Sequence, residues 1–366
     1  MKGVCSVGSY NDRIEIALAS DGGYAVGLMV SAVSIAAFAS KTVTLSFTFI
    51  DGGFSDTFYD ELIRRIDAVH PLSEARRVKL DVARFASFGE LRGNRVTYAR
   101  FLLPELLPNA SHVVYCDADT LWLADISVLW SLRDSAASVL AVRDPNIDDM
   151  PEREWFESRG FKYDGARYFN AGVMLMNLDL FRRDRLVERA CDILSKFPDS
   201  LFADQGPLNI VAGDTLKLID DRWMRFTNAI ESKDFSLPLV CHYVNDVPWK
   251  RVAASMECSD ARMAWHFFRA GFCGHKVSWR RALLYFVTRN RLLAKVLRIG
   301  LCLLGRPVAA DVLRRTATCD VRRLVVNPNS EQSNPLPLCY SALKNSTCLY
   351  LFYMVTLLCV KNLKMI

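Results

Sequence analysis

The feature that most restricts the fold of this 366-residue chain is the alternation of strand-like and helix-like segments over about its first 250 residues. Short runs rich in apolar, β-branched and aromatic residues predict strands, and longer apolar or amphipathic runs predict helices. The predicted strands are residues 14–19, 43–50, 78–82, 112–116, 140–142, 173–176 and 239–242. The predicted helices are residues 24–39, 56–68, 96–107 and 180–197. This alternation predicts an α/β fold, in which helices flank a central sheet.

Composition supports a folded core and excludes several classes of protein. Hydrophobic residues make up 51% of the chain and charged residues 23%, which excludes a disordered, collagen-like or coiled-coil protein. The chain has 46 Lys and Arg residues against 40 Asp and Glu residues, a net charge of +6. Because this excess is small, we predict no binding to nucleic acid. The length suits one large α/β domain with a C-terminal appendage.

Cysteine spacing and hydropathy predict a cytoplasmic protein without a membrane-spanning helix. The 11 cysteines include no Cys-x-x-Cys pair, and Cys116 and Cys241 end apolar runs, as expected of buried thiols in a reducing compartment. Charged residues within the first 20 argue against a secretory signal. Residues 22–40 carry no charge, but their Ala, Ser and Gly content favours a buried helix. The apolar run 348–360 is too short to cross a bilayer.

The sharpest local motif is a short apolar strand that ends in two carboxylates. Residues 113–116 are followed directly by Asp117, Ala118 and Asp119. Ligands of parallel sheets bind beyond the carboxyl ends of the strands, and residues two apart on an extended backbone point to the same side. Two such carboxylates repel each other, and a Mg²⁺ or Mn²⁺ ion that bridges to phosphate groups would remove that penalty. The alternative interpretation is an ordinary acidic turn after a strand.

Two classes of enzyme place an Asp-x-Asp motif at the end of a strand. Nucleotide-sugar glycosyltransferases use it to hold a metal ion on the donor diphosphate, and one phosphatase superfamily uses its first Asp as a nucleophile. The phosphatase pattern requires Thr or Val four residues after that Asp, where this chain has Leu121, with Thr120 one position early. Asp214, Asp220 and Asp221 could supply the second carboxylate site of such an enzyme. An aspartate-nucleophile phosphatase-like hydrolase therefore stays an alternative.

Six segments along the chain match the motifs of one enzyme family in the same order. They are Ala19-Ser20-Asp21-Gly22-Gly23-Tyr24, Thr97-Tyr98-Ala99-Arg100-Phe101, Tyr115-Cys116-Asp117-Ala118-Asp119, Tyr168-Phe169-Asn170-Ala171-Gly172-Val173, Ala203-Asp204-Gln205 with Leu208-Asn209, and Cys241-His242-Tyr243 with Pro248-Trp249. Residues 14–250 thus resemble glycosyltransferase family 8, the retaining enzymes that include bacterial lipopolysaccharide galactosyl- and glucosyltransferases. The resemblance implies a GT-A type, Rossmann-like mixed sheet flanked by helices over residues 12–262.

The resemblance also implies a UDP-hexose donor and a bound Mn²⁺ or Mg²⁺ ion. Asp117, Asp119 and His242 would be the metal ligands, and Mn²⁺ accepts such a mixed set of oxygen and nitrogen donors. Taken alone, His242 would be interpreted as a core histidine at the end of an apolar strand. The uracil end of the donor would be held by Asp21 and Tyr24. The other donor-binding residues implied are Arg100, Ala118, Asp144, Asn170, Ala171, Gly172 and Lys250, of which Arg100 could instead pair with a carboxylate.

The reaction implied is transfer of glucose or galactose from a UDP-sugar to an acceptor hydroxyl, with retention at the anomeric carbon. The resemblance places it in the synthesis of bacterial lipopolysaccharide or another surface glycan, so the acceptor would be a glycan or a glycolipid. Gln205 matches the family residue that lies near the reacting face. Because its amide is a poor nucleophile, we expect it to position the sugar or stabilise an oxocarbenium ion. Asp204 would help to orient the sugar.

The chain departs from the family pattern in three places. Gly22 and Gly23 stand where the family often has Asp and Asn, and Gly206 replaces the last Asp of a common Asp-Gln-Asp triplet. The segment 242–249 lacks the Gly and the Lys of the family motif. That Lys normally meets the diphosphate, and Lys250 is the nearest substitute. A catalytically degenerate UDP-sugar-binding homologue is therefore a second alternative.

The chain changes character after the predicted catalytic domain. We expect a basic amphipathic helical region over residues 263–320, then a linker and a short apolar tail over residues 321–366. Within residues 279–304, Arg and Lys alternate with apolar and aromatic residues, a composition typical of segments that lie on anionic membranes. A solvated basic helix is an equal alternative. The prediction is a cytoplasmic protein that could bind the inner face of the membrane peripherally.

Overall fold

The computed structural model of the chain describes residues 13–91, 93–227, 238–244, 247–250 and 260–274. These residues belong to two compact units, of which the first ends at Trp249 and the second continues from Lys250. The helix Asp260–Phe272 belongs to the second unit and crosses the boundary placed at 262/263 from the sequence. The basic stretch 279–304 and the apolar tail 348–360 lie outside the described residues.

The first unit contains ten strands and eight α-helices within its described ranges. The strands are β1 Arg13–Ser20, β2 Thr44–Asp51, β3 Ser73–Lys79, β4 His112–Cys116, β5 Thr120–Trp122, β6 Val139–Arg143, β7 Phe169–Asn177, β8 Leu216–Leu218, β9 Arg225–Phe226 and β10 Val240–His242. The helices are α1 Ala25–Phe38, α2 Asp56–Val69, α3 Leu103–Leu106, α4 Ile126–Trp130, α5 Glu152–Glu157, α6 Leu178–Arg183, α7 Leu186–Lys196 and α8 Gln205–Ala212, and the helix of the second unit is α9 Asp260–Phe272.

A mixed seven-stranded sheet forms the centre of the first unit, as the sequence predicted. Its strand order is β3-β2-β1-β4-β7-β6-β8. Strands β1 to β4 pair in parallel, whereas β7 runs antiparallel to both β4 and β6. Every residue of β7 is buried, and β4 is buried from Val113 onward. This matches the continuous apolar runs that a sheet covered on both faces requires.

Helix α1 explains why residues 22–40 carry no charge. Eleven of its 14 residues are buried within the protein, so apolar and small side chains are needed all round the helix. Its two serines bond within the core: Ser31 Oγ lies 2.7 Å from Thr120 Oγ1, and Ser34 Oγ accepts a bond from the Trp122 backbone N–H at 3.0 Å. The prediction of a buried helix is confirmed. Among the described helices, none is long and apolar enough to cross a membrane.

Three local predictions differ from the structure. Residues 96–107 begin as a 3₁₀ helix, Val96–Leu102, which continues as α3. The single helix predicted over residues 180–197 is two helices, because Arg185 adopts a left-handed conformation with φ of 53°. Strand β3 covers Ser73–Lys79, earlier than the predicted 78–82, since pairing with β2 fixes its register. Apolar periodicity reports burial, and it does not report such turns and registers.

A second, three-stranded sheet brings distant parts of the chain together beside the carboxyl end of β4. Its order is β5-β10-β9, with β10 antiparallel to β5 and parallel to β9. The register places His242 of β10 opposite Thr120, the residue after Asp119. Nothing in the sequence separation of these residues predicts this pairing. The small sheet therefore decides which histidine meets the Asp-x-Asp motif.

Candidate active site

Two carboxylates and one imidazole converge at the end of β4. The donor atoms of Asp117, Asp119 and His242 all lie within 4.8 Å of one another. His242 Nε2 is 3.2 Å from Asp119 Oδ1 and 3.7 Å from Asp117 Oδ2. Backbone pairing fixes both motifs, since the Asp117 N–H donates to the Gly172 carbonyl and the Tyr243 N–H donates to the Asp119 carbonyl. These are the three residues that the family resemblance implied as metal ligands.

Electrostatics make this cluster suitable for a cation. Burial raises the pKa of Asp117, Arg100 lowers it, and the nearby Asp119 raises it further. Burial lowers the pKa of His242, but the carboxylates of Asp119 and Asp117 more than offset this and raise it above its ordinary value. Burial therefore dominates the shift of Asp117, whereas the neighbouring carboxylates dominate that of His242. Carboxylate oxygens with one imidazole nitrogen form a donor set that fits Mn²⁺ or Mg²⁺.

Arg100 forms the buried positive centre of the site. Its guanidinium contacts Asp117 Oδ1 at 2.9 Å and Asp204 Oδ2 at 3.0 Å, and donates to the Ala171 carbonyl at 2.5 Å. It also lies over the ring of Tyr115, 4.3 Å from the ring centroid. A buried arginine needs such partners, because an unpaired charge is costly in the interior. Of the two roles expected for Arg100, the structure shows pairing with carboxylates, and donor contact stays a prediction.

The first residues of β7 lie beside this charged centre in a closed network of hydrogen bonds. Asp144 Oδ2 accepts from Asn170 Nδ2 at 2.9 Å and from Gln205 Nε2 at 3.1 Å. The side-chain oxygen of Gln205, Oε1, accepts from the Ala171 N–H at 2.9 Å, and the side-chain oxygen of Asn170 accepts from the Gly172 N–H at 2.9 Å. Because both ends of the Gln205 amide are engaged, its orientation is fixed. The structure thus brings together five of the residues that we expected to bind the donor or to lie near the reacting face.

Asp204 lies behind this network, almost fully buried. Besides Arg100, its carboxylate accepts a very short hydrogen bond from the Thr97 hydroxyl. Burial raises the pKa of Asp204, and the charge of Arg100 opposes this rise. The preceding Ala203 has a φ of 50°, in a region that costs a non-glycine residue energy. The start of α8 is therefore held in a strained geometry that aims Gln205 at the site.

Gly172 leaves room for His242. A Cβ atom at this position would lie 2.2 Å from His242 Cε1 and 2.9 Å from Nδ1. The ring is also packed against two other residues: His242 Nδ1 is 3.4 Å from the Met224 sulfur, and the ring meets Phe226 edge-to-face at a centroid distance of 5.6 Å. Glycine is thus required by the close approach of the imidazole to the backbone of β7.

The residues expected at the uracil end lie at the carboxyl end of β1. Asp21 caps the short helix Gly22–Tyr24, its Oδ1 accepting from the Tyr24 N–H at 2.9 Å. Asp21 Oδ2 accepts from Asn94 Nδ2 at 3.0 Å. The Tyr24 ring meets the Trp249 ring at 85° with centroids 5.4 Å apart. Asp21, half-buried, and Tyr24 therefore belong to an edge that includes a tryptophan from the closing motif.

Lys250 is exposed and lies in the second unit, so its expected contact with the diphosphate stays a prediction. Ala118 lies buried between the two metal-ligand candidates, and its carbonyl would be 2.6 Å from a Cβ at Gly27.

Several contacts at the site were not expected from the sequence. Asn94 binds Asp21, Thr97 binds Asp204, and the buried Glu152 accepts a bond from the Tyr168 hydroxyl at 2.8 Å. Thr97 and Tyr168 stand within the matched segments, which is a signal that could have singled them out. Asn94 and Glu152 stand in no matched segment, and they reach the site through tertiary packing alone.

Comparison with known proteins identifies the family. The model for glycosyl transferase family 8 matches residues 15–253, well over half of the chain. The chain belongs to glycosyltransferase family 8. This family 8 chain is 25% identical over 226 residues to lipopolysaccharide 1,2-glucosyltransferase of Escherichia coli K12, a match that covers 61% of this chain and 66% of the relative. It is 26% identical over 258 residues to lipopolysaccharide 1,3-galactosyltransferase of Salmonella typhimurium, covering 65% of this chain and 73% of the relative.

Other relatives match a smaller part of this family 8 chain. General stress protein A of Bacillus subtilis is 29% identical over 134 residues, covering 35% of this chain and 45% of the relative. The chain spans about half the length of the first curated relatives that it matches. Among solved structures, galactosyltransferase LgtC in complex with donor and acceptor sugar analogs superposes with a TM-score of 0.61 at 22% identity, covering 73% of this chain and 99% of LgtC. The expected GT-A fold is confirmed, and the bounds 12–262 stay a prediction.

Proposed function

We propose that the chain is a metal-dependent, retaining hexosyltransferase that moves glucose or galactose from a UDP-sugar to an acceptor hydroxyl. The observation that carries the proposal is the convergence of Asp117, Asp119 and His242 beside the hydrogen-bonded Asn170 and Gln205. Family membership supports sugar transfer, and the lipopolysaccharide glucosyl- and galactosyltransferases among its relatives support a hexose donor and a surface-glycan acceptor. The acceptor would be a glycan or a glycolipid.

Asp117, Asp119 and His242 would hold Mn²⁺ or Mg²⁺. When bound, the ion would neutralise the negative charge that develops on the leaving diphosphate. Arg100 binds one oxygen of Asp117, Oδ1, and the second oxygen of that carboxylate, Oδ2, faces His242. This support fixes the direction of the carboxylate, which metal sites generally need from residues outside the ligand set.

Asp144, Asn170 and Gln205 would bind and orient the hexose. The carboxylate and amide groups on these side chains match the donor and acceptor pattern of sugar hydroxyls. Because they are bonded to one another before any sugar arrives, little conformational entropy is lost on binding. The backbone of Ala171 and Gly172 completes this wall, and a hexose placed on it would lie next to the metal-ligand cluster.

In the proposed reaction, the bond between the anomeric carbon and the UDP oxygen breaks, and its electron pair leaves with UDP. A bond forms between the same carbon and the acceptor oxygen on the same face, and the proton of the acceptor hydroxyl passes to the departing diphosphate. Gln205 cannot serve readily as a nucleophile, because its amide carbonyl is weakly basic and already accepts from the Ala171 N–H. We therefore assign it to positioning the hexose and to stabilising the positive charge of an oxocarbenium-like state.

The nucleotide would lie toward Asp21 and Tyr24, at the end of the neighbouring strand β1. Asp21 Oδ2 could accept from the N–H of uracil if the base displaced Asn94, and the Tyr24 ring offers a face or an edge for the base. Lys250 would contribute positive charge to the diphosphate. Its contribution replaces the lysine that the segment 242–249 lacks.

The test is a screen of UDP-sugars for Mn²⁺-dependent release of UDP. We expect release from UDP-glucose or UDP-galactose, its loss on chelation, and a fall of at least about 100-fold in Asp119→Ala. Asp60→Ala is the matched control, because Asp60 is an exposed carboxylate on α2. Absence of Mn²⁺-dependent UDP binding by calorimetry in the wild-type chain would contradict the proposal.

The same screen, extended by an aryl phosphate, separates the two alternatives. A degenerate homologue would bind UDP and Mn²⁺ and release nothing. A phosphatase would release phosphate from an aryl phosphate and form a phospho-aspartate at Asp117. For the second carboxylate site of a phosphatase, Asp220 and Asp221 are poorly suited, because they form ion pairs with Arg222 and Arg225.

We also propose that the basic stretch 279–304 binds anionic membrane surfaces, which would place the enzyme near a glycolipid acceptor. Positive residues interleaved with apolar ones suit such a surface. Co-sedimentation with vesicles of anionic phospholipid tests this, with deletion of residues 279–304 expected to abolish binding and zwitterionic vesicles as the control. Binding that persists after the deletion would contradict it.

A further inference from the structure

Glu152, the first residue of α5, is a carboxyl group buried without solvent exposure. One of its oxygens, Oε1, accepts from the Tyr168 hydroxyl at 2.8 Å. The other, Oε2, has no hydrogen-bond partner among the described residues. Around it lies an aromatic cluster that includes Trp155, Phe156 and Tyr168. A carboxyl group placed in such surroundings costs stability, so the fold itself does not explain its presence.

The backbone of Gly206 packs closely against the carboxyl group of Glu152. A Cβ atom on Gly206 would lie 2.8 Å from Glu152 Oε1, whereas its next neighbours, Ser200 Oγ and Phe156 Cε2, would be 3.3 and 3.7 Å away. The φ of Gly206 is not in the left-handed region, so the backbone does not require glycine here. The carboxyl of Glu152 is therefore the group that excludes a side chain from position 206.

This carboxyl is connected to the sugar-binding network through one residue. Tyr168, which holds Glu152 Oε1, precedes Asn170 by two residues on the way into β7. The Tyr168 carbonyl accepts from the Asp144 backbone N–H at 2.9 Å, so Tyr168 is bonded directly to a member of that network. The chain of hydrogen bonds thus runs from Glu152 to Tyr168, from Tyr168 to Asp144, and from Asp144 to the side-chain amide of Gln205.

Charge at this position changes near neutral pH. Burial raises the pKa of Glu152 to about 7, the Tyr168 hydroxyl opposes the rise, and the negative charge of Asp144 adds to it. The other titratable group that faces it is Tyr163, whose pKa is raised by burial and further by Asp148 and Glu152. Ionisation of Glu152 would therefore place a second negative charge close to Asp144, on the face where the hexose is expected.

We propose that Glu152 is a positioning residue of sugar transfer, which fixes Gln205 through Tyr168 and Asp144 and supplies from α5 the carboxyl group that the glycine at position 206 does not carry. This inference rests on the proposed function, since it assigns Gln205 to the reacting face. It explains why a carboxyl group with one oxygen lacking a hydrogen bond lies in the interior: the group fixes the orientation of Gln205. The carboxyl group that the family pattern has at position 206 would then come from another element, α5.

The decisive experiment exchanges the two positions. We expect Glu152→Ala to lower kcat about tenfold or more, with the KM for the UDP-hexose changed less than about threefold, because misplacement of a positioning group affects the reacting geometry most. The double variant Glu152→Ala/Gly206→Asp should recover most of this loss, since removing Glu152 vacates the space that an Asp at 206 would fill. Glu154→Gln, an exposed glutamate on the same helix, is the matched control.

Glu152→Gln provides a readout that a purely structural role would not move. Its amide oxygen can still accept from Tyr168, but it cannot ionise, so the inflection of kcat near pH 7 should disappear while the melting temperature stays equal or rises. Wild-type kcat in Glu152→Ala overturns the proposal, as does a double variant no more active than Glu152→Ala. Loss of kcat only in proportion to loss of folded protein, measured by circular dichroism, also overturns it.

Failure of the proposed function gives a different result. If the wild-type chain binds UDP-hexoses and transfers nothing, the proposed function is wrong and the positioning role is judged by binding alone. Calorimetry would then compare UDP-glucose, UDP-galactose and UDP. The hexose contribution is the difference in affinity between a UDP-hexose and UDP. This difference must fall in Glu152→Ala and return in Glu152→Ala/Gly206→Asp. An unchanged hexose contribution in Glu152→Ala overturns the proposal.

Discussion

Replacement of Gly172 by alanine tests whether His242 is a metal ligand without removing any polar group. The new Cβ would lie 2.2 Å from His242 Cε1, whereas ordinary contacts begin near 3.4 Å, so the ring must move by about 1.2 Å. Contacts of the ring with Met224 and Phe226 restrict this movement. Overpacking of this kind costs about 1–3 kcal/mol.

A shift of this size is incompatible with metal coordination. Ligand distances in metal sites vary by only about 0.2 Å, so an imidazole displaced by several times that distance ceases to be a ligand. Asp117 and Asp119 remain, and the site becomes a two-carboxylate site. We therefore expect Gly172→Ala to weaken Mn²⁺ binding by at least about tenfold, a loss comparable with that of altering the groups that support a ligand.

The assay is a titration of Mn²⁺ in the presence of UDP, followed by calorimetry and by the paramagnetic resonance signal of the free ion. His242→Ala should show an equal or greater loss. Gly271→Ala is the control, because a Cβ on this residue of α9 meets no atom within 4 Å. If Gly172→Ala binds Mn²⁺ as tightly as the wild-type chain while His242→Ala does not, the steric reasoning is wrong. If both bind normally, His242 is not a ligand.

Three further predictions concern stability, measured by urea unfolding. Arg100→Lys should lower the free energy of unfolding by about 3–5 kcal/mol, because the shorter cation leaves Asp204 buried without its partner; a loss below 1 kcal/mol would contradict this. Gly27→Ala should cost about 1–3 kcal/mol, since its Cβ would lie 2.3 Å from Trp249 Cη2 and 2.6 Å from the Ala118 carbonyl oxygen, and an unchanged midpoint would contradict this. The folded-state pKa of Glu152, about 7, is above its ordinary value of 4.5, so the folded chain holds a proton that the unfolded chain has lost. Relative to Glu152→Gln, wild-type stability should therefore fall by about 3 kcal/mol as pH rises from below 4.5 to above 7, and parallel pH profiles would refute the assignment.

Sequence periodicity predicted the elements whose burial is uniform and missed those set by packing. Helix α1 and strand β2 were predicted to within two residues, because a fully buried element needs apolar side chains along its whole length. Strand β5, three residues long, and helix α8, which begins with Gln205-Gly206-Pro207, carry too little periodic signal to be found. The break between α6 and α7 at Arg185 also has no signal in the sequence, since arginine does not favour the left-handed conformation that it adopts there.

The candidate site divides in a similar way. The family motifs led to Asp117, Asp119 and His242 as a possible metal site, and the structure places their donor atoms together. The motifs could not show that Arg100 is occupied by two carboxylates, because Asp117 and Asp204 reach it from parts of the chain 17 and 104 residues away. Only side-chain packing reveals which partner a buried charge has.

By itself, the sequence determined the α/β alternation, the strand that ends in Asp117 and the family to which the chain belongs. These properties depend on residues near one another along the chain, so periodicity and motif spacing are enough to predict them. The tertiary structure decided which groups meet: His242 opposite Thr120 through the register of β10 on β5, and Glu152 against the empty position of Gly206. The reason is physical, since the energy of a buried polar group depends on its neighbours in space, and those neighbours are fixed only when the sheets have formed.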